Sequence, residues 1–163
     1  MNILEPLYTD IRQYIIAALE LASDAPVVQG YQNGVPLPVN GIVMTFHEDG
    51  TIDKPSTRMD GDTMYIFNSV RGTMQVDFYG ENAHDKARQI ATLWNSPYTT
   101  SVLLDCVPLN NPRVRNLQYI NEQQYYEPRF MIELELQYNT KYEKTVTILT
   151  DVTQIDLESI DAI

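Results

Sequence analysis

The hydrophobic positions change period once within a single short stretch, and that change sets the plan of the chain. From Met74, apolar side chains alternate through Val76 and Phe78 with Gln75, Asp77 and Tyr79 between them, the two-residue period of a half-buried strand. From Ala83 the spacing becomes three and four, through Ala87, Ile90, Ala91 and Trp94 with Leu93 at the edge, which is the stripe of an amphipathic helix. Gly80 supplies the corner, Asn82 is the expected N-cap, and Glu81 and Asp85 put negative charge where the helix dipole favours it. A strand leading straight into a helix must be covered by that helix or a neighbour, so the rest of the chain has to supply further strands and a second cover.

The remaining pattern provides both. Residues 3–22 place Ile3, Leu7, Ile11, Ile15 and Leu19 four apart, with Leu4, Tyr8, Ala18 and Ala22 widening the stripe, and Pro6 falls in the first turn of this first helix. Residues 23–40 collect Pro26, Pro36, Pro38, Gly30 and Gly34, which forbid a long regular element. Asn33-Gly34 allows a short extended pair there, and the segment reads equally as an arm toward a neighbour or an ordinary surface loop. Residues 41–48 alternate Ile42, Met44 and Phe46 against Val43, Thr45 and His47, and Asp49-Gly50 is expected to turn the chain. The polar run 51–62, with Pro55 and Gly61, reads as a long hairpin tip or an irregular return.

Residues 64–68 resume a strand, joined to the stretch from Met74 by a hairpin around 69–72 or by continuing as one long bent strand, the hairpin being preferred. Ser96-Pro97 ends the second helix, and 99–107, rich in Thr, Val and Leu, predicts another strand. Residues 108–121 read as a loop. In 129–138, Phe130, Ile132, Leu134, Leu136 and Tyr138 alternate against Met131, Glu133, Glu135 and Gln137, the clearest strand of all. Residues 143–150 form a last strand, and 153–163 are an acidic tail that frays or docks as a short helix. Together these predict one α+β domain over residues 1–163: an antiparallel β-sheet of about five strands, covered on one face by two α-helices, with long loops or hairpin arms. The opposite sheet face, carrying Gln75, Asp77, Glu133 and Glu135, is left exposed or shared.

Composition narrows the functions such a fold can carry. A length of 163 residues buries a substantial core without staples. A formal charge of −11 argues against a phosphate-binding surface, because affinity for nucleic acid comes mainly from clustered Lys and Arg. The acidity serves solubility, or a surface past which nucleic acid must move without sticking. Eleven Tyr against four Phe and one Trp supply rings that line strands and also suit contact surfaces. Cys106 stands alone, so no internal disulfide forms, and the start of the chain lacks the basic region of a signal peptide. The longest apolar run of the first helix, residues 14–19, is too short for a bilayer, and the expectation is a soluble protein of a cytoplasm.

Groups for catalysis are sparse. His47 and His84 have no evident nucleophile beside them, and Cys106 reads as a buried thiol rather than a nucleophile with a base. His47, Glu48, Asp49 and Asp53 outline a metal site but lack the full acidic alternation and closing Glu of a calcium loop. No phosphate-cradling glycine loop follows a strand. The expectation is therefore no cofactor, no metal and no enzyme, with a small metal-dependent enzyme using His47 and its acidic neighbours as the alternative from another class.

Several blocks in order nonetheless resemble one family. Residues 74–83, then Ala87, residues 90–94 and Ser96-Pro97-Tyr98, look like the strand-to-helix core of the tail terminators found in the necks of tailed bacteriophages. The resemblance continues in Pro108-Leu109, in residues 120–125, at Arg129 and in residues 136–139, so it covers roughly the last two thirds of the chain, while residues 51–61 depart from the family pattern. It implies a small α+β subunit of a homo-oligomeric, six-membered ring at the head-proximal end of the tail tube. Such a ring stops tube polymerisation, meets the head-completion or connector proteins and, in contractile tails, the last sheath ring, while genomic DNA passes through its lumen without specific binding. A neighbouring neck component, itself a head-completion or connector protein, is the alternative within the same class. A closed ring needs one patch to meet a different patch on the next copy. The exposed sheet face with Glu133 and Glu135, and the Tyr-rich approach at Gln124, Tyr125 and Tyr126, are the candidate interface residues. Arg129 joins them, paired with a neighbour's carboxylate or with one of its own chain.

Overall fold

The apolar stripe at the start of the chain coils into α1 (Leu4–Ala18), which buries Leu7, Ile11, Tyr14, Ile15 and Ala18. It ends earlier than its stripe allows. The Leu21 amide donates to the Ile16 carbonyl at 2.9 Å and Glu20 to Ala17 at 3.3 Å, with Glu20 left-handed at φ 52°, so a six-to-one turn closes the helix. The computed structural model describes residues 4–31, 38–117, 119–120 and 126–146. The Asn33-Gly34 turn and the tail 153–163 lie outside the described residues.

After α1 come β1 (Val27–Gln29), β2 (Ile42–Thr51), β3 (Ser56–Asp60) and β4 (Thr63–Tyr79). Next are α2 (Ala83–Leu93), α3 (Pro97–Val102), β5 (Cys106–Pro108) and β6 (Arg115–Asn116), then β7 (Tyr119–Ile120), β8 (Tyr126–Glu127) and β9 (Arg129–Thr145). The main sheet runs β1-β2-β4-β9-β5, with β3 also on β4 and β6 also on β9, while β7 and β8 form a separate ribbon. Only β1 on β2 is parallel among these pairings. The two 17-residue strands β4 and β9 pair along their whole lengths, from Tyr79 opposite Arg129 to Thr63 opposite Thr145.

Directly opposed residues share a face, so the register sorts the side chains. Val70, Met74, Val76 and Phe78 of β4 lie beside Leu134, Leu136, Ile132 and Tyr138 of β9, all buried, and Ile42 and Met44 of β2 join them. On this face sit α1 and Ala83, Ala87, Ile90 and Trp94 of the α2 segment, in one apolar cluster. Each large apolar side chain removed from water here contributes about 2 kcal/mol. Tyr14 meets Trp94 edge to face at 5.6 Å, and its hydroxyl is hydrogen-bonded to Thr99 at 3.0 Å. The α+β architecture with helices packed on a single sheet face agrees with the periodicity.

Several local expectations are corrected. No hairpin forms around 69–72, because β4 passes through unbroken. Gly72 is there for space rather than for a turn: a Cβ would lie 2.4 Å from the Phe46 ring. Asp49-Gly50 does not turn the chain either; the register of β2 on β4 shifts between Glu48 and Gly50, with Gly50 at φ 127°, and the strand continues to Thr51. The real turn is at Gly61, φ 58°, between β3 and β4, so the polar run 51–62 contains a strand. Residues 99–107 divide into α3 and β5. Pro97 opens the helix, the Thr99 hydroxyl donates to the Leu93 carbonyl at 2.6 Å, and its hydrogen bond with the Tyr14 hydroxyl of α1 is a tertiary contact that overrides strand propensity. Residues 108–121 hold β6 and β7, and of the strand expected at 143–150, residues 143–145 are the end of β9 while 147–150 lie outside the described residues. Asn82 precedes α2 in the left-handed region and makes no side-chain capping bond, whereas Gly80 takes the corner at φ 84°.

Candidate interaction surfaces

The face of the sheet away from the helices is polar but largely self-satisfied. Asp77, 3% exposed, accepts from Arg129 Nε at 3.0 Å, with Nη2 also at 3.0 Å from Oδ1, and from Gln75 Nε2 at 2.7 Å. The same guanidinium lies 5.6 Å from the Tyr79 ring centre. Glu133 pairs with Arg115 at 3.0 Å, and Glu135 with Arg71. Arg129, Glu133 and Glu135 are therefore brought onto one face, each paired within the chain. Gln124 and Tyr125 lie outside the described residues, and Tyr126 contributes its backbone to β8.

On the outer side of β9 the paired strand is interrupted between β5 and β6, and one side chain fills the interval. Asn110 Nδ2 donates to the Glu133 carbonyl at 3.0 Å, while Asn110 Oδ1 accepts from the Glu135 amide at 3.0 Å and from Trp94 Nε1 at 3.1 Å. A side-chain amide thus stands in for a strand residue and ties the end of α2 to the sheet edge. Nothing in the hydrophobic pattern announces it.

Sequence reasoning also missed the largest feature. Val70 and Tyr138 are the last opposed pair of buried apolar residues; beyond them β3, the first half of β4 and the end of β9 continue as a three-stranded arm that none of the helices among the described residues covers. On the helix side of the arm stand Thr57, Met59, Met64, Ile66, Tyr142 and Lys144, with Met59 and Tyr142 about half exposed. On the other side, Lys141 pairs with Glu143 at 2.8 Å and lies 4.4 Å from the Tyr65 ring centre. The signal was present: Met64 to Phe67 are apolar on both strand faces, a pattern that fits neither a half-buried strand nor a solvated one.

A second surface flanks α1. Buried Asp10 accepts from the amides of Leu104 at 3.0 Å and Asp105 at 2.9 Å, which fixes the link from α3 to β5 and leaves Leu104 85% exposed. Between this link and α1 lies a groove of about 510 Å³ whose lining includes Glu5, Pro6, Gln13, Leu104 and Asp105 and contains no basic residue.

Of the groups that outlined a metal site, the side chains of Glu48 and Asp49 lie outside the described residues. Among the described residues no cluster of three His, Cys, Asp or Glu side chains is placed to hold a metal. His47 is exposed on β2, and His84 lies 3.2 Å from Asp85 with its ring against Phe130 at 5.1 Å. Burial, with the Asp10 and Asp105 carboxylates beside it, pushes the Cys106 thiol up to about 12, so it stays protonated at neutral pH and is a poor nucleophile. No helix among the described residues is long and apolar enough to cross a membrane.

Comparison with known proteins supplies what geometry alone does not. Among curated proteins nothing matches. The family described as phage neck terminator protein matches residues 5–162, almost the whole sequence. Covered to that extent, the chain belongs to the phage neck terminator protein family.

Proposed function

We propose that the chain is a single-domain subunit that closes with copies of itself into a ring, hexameric, at the head-proximal end of the tail tube. There it ends tube polymerisation and joins the tail to the head-completion or connector proteins and, in a contractile tail, to the last sheath ring. Family membership gives the coarser part of this reading, a structural role in the virion neck among the tail and head proteins. The observation that carries the rest is the arm, which extends the two central strands beyond the helices and exposes apolar side chains on the helix side. A chain with such an arm and a differently built body offers the two unlike patches that head-to-tail ring closure requires.

In this reading the protein works without catalysis or cofactor, is assembled in the host cytoplasm, and lets genomic DNA pass. The charge of −11, repeated around a ring, repels a phosphate backbone rather than gripping it. Light scattering after size exclusion, at several concentrations and with or without tube protein, tests the proposal. A hexamer, or a monomer that becomes a ring on tube ends, is the expected result; a monomer indifferent to the tube overturns it.

A further inference from the structure

We propose that the helix-side face of the arm docks into the groove between α1 and the α3–β5 link of a second copy of this chain, an arrangement that rests on the ring reading. The two surfaces are complementary in charge and in polarity. The arm face carries Met59, Met64, Ile66 and Tyr142 with Lys144, and no acidic residue falls on it in the register of β3, β4 and β9. The groove carries Glu5 and Asp105 around the exposed Leu104, with no base. Exposed apolar residues on a three-stranded single layer gain most from a partner that covers them.

Charge distribution favours a copy of the same chain. The arm, residues 51–69 and 139–146, holds Asp53, Asp60, Asp62 and Glu143 against Lys54, Arg58, Lys141 and Lys144, so it is neutral. The formal charge of −11 therefore divides into −7 on the body, residues 1–50 and 70–138, and −4 on residues 147–163, which lie outside the described residues. Two bodies of that charge repel, whereas a neutral arm reaching an acidic body does not.

The contact must also be between copies. Asp105 precedes Cys106, which opposes Tyr138 at the base of the arm, whereas Lys144 lies six residues further along β9, about 20 Å at 3.3 Å per residue. The same unbroken strands form arm and body, so the arm does not fold back onto its own groove.

The test uses the full chain. Wild type is first assembled and its mass measured; a protein that never forms a ring overturns the proposed function itself. Given a wild-type ring, Tyr142→Asp and Leu104→Asp are each expected to raise the concentration for half-assembly at least tenfold, with thermal melting of the monomer unchanged. Mixed one to one, the two variants leave one intact arm and one intact groove and are expected to give a two-copy species without rings. Should either variant melt early, Lys144→Glu and its reciprocal Asp105→Lys replace it, each weakening assembly alone and restoring it when combined in one chain. Variants that form rings like wild type, or whose mixture stays monomeric, overturn the docking; so does an arm variant that assembles normally but no longer binds tube ends.

Discussion

The same two strands live two lives in this molecule. Between Val70 and Phe78, β4 lies under α1 and α2 with β9 beside it, and every second side chain is buried. Between Thr63 and Ser69 it has hydrogen-bonded neighbours on both edges, β3 and β9, but among the described residues no layer above or below. Backbone pairing is complete in both regions, so what separates them is the cover. Hydrogen bonding fixes the shape of a strand, and apolar burial decides how much of the folding free energy it carries.

Substitutions sharpen this contrast, and the largest effect is expected at Trp94. Fully buried, it packs on Tyr14 and donates to Asn110, so Trp94→Ala should cost about 4 kcal/mol in urea unfolding. Gly72→Ala sets a methyl against the Phe46 ring and should cost about 2 kcal/mol, part of which Phe46→Leu should return. Asn110→Ala should cost about 1.5 kcal/mol and speed hydrogen exchange at the Glu135 amide. A smaller effect of body packing is expected in alkali. Because Cys106 is held at about 12 in the folded chain against an ordinary 9.0, the unfolded chain releases its proton first. Stability is therefore unaffected by this group below pH 9 and falls as pH rises from 9 toward 12, and urea midpoints should fall less steeply in Cys106→Ala. Tyr142→Ala, on the arm, should change monomer stability by no more than about 0.5 kcal/mol. If it cost as much as Trp94→Ala, the contrast between covered and uncovered strand would be wrong.

Legibility in the sequence follows the same division. The alternation of Phe130 to Tyr138 and the four-residue stripe from Leu7 to Ile15 report burial directly, so the sheet, its helices and the shared core face were readable. What misled were residues with two physical uses. Gly72 and Gly50 carry the chemistry of turns, yet one makes room for an aromatic ring and the other sits where the register shifts. Thr99 has the propensity of a strand and the hydrogen bonds of a helix start. The partners of Arg129, Glu133 and Glu135 depend on which residues the register sets diagonally opposite, and local spacing does not contain that information. Asn110 was silent for a simpler reason: its role exists only once β5 and β6 have left an interval beside β9.

Continuity of β4 and β9 has a mechanical consequence. At about 3.3 Å per residue each strand spans about 55 Å, with no break or proline between the arm tip and the helix-covered end. Such a pair is a stiff lever without a hinge. A load applied at the tip, by whatever grips it, is not absorbed in a loop but is spread as shear across the whole ladder of hydrogen bonds and passed to the packing of α1 and α2.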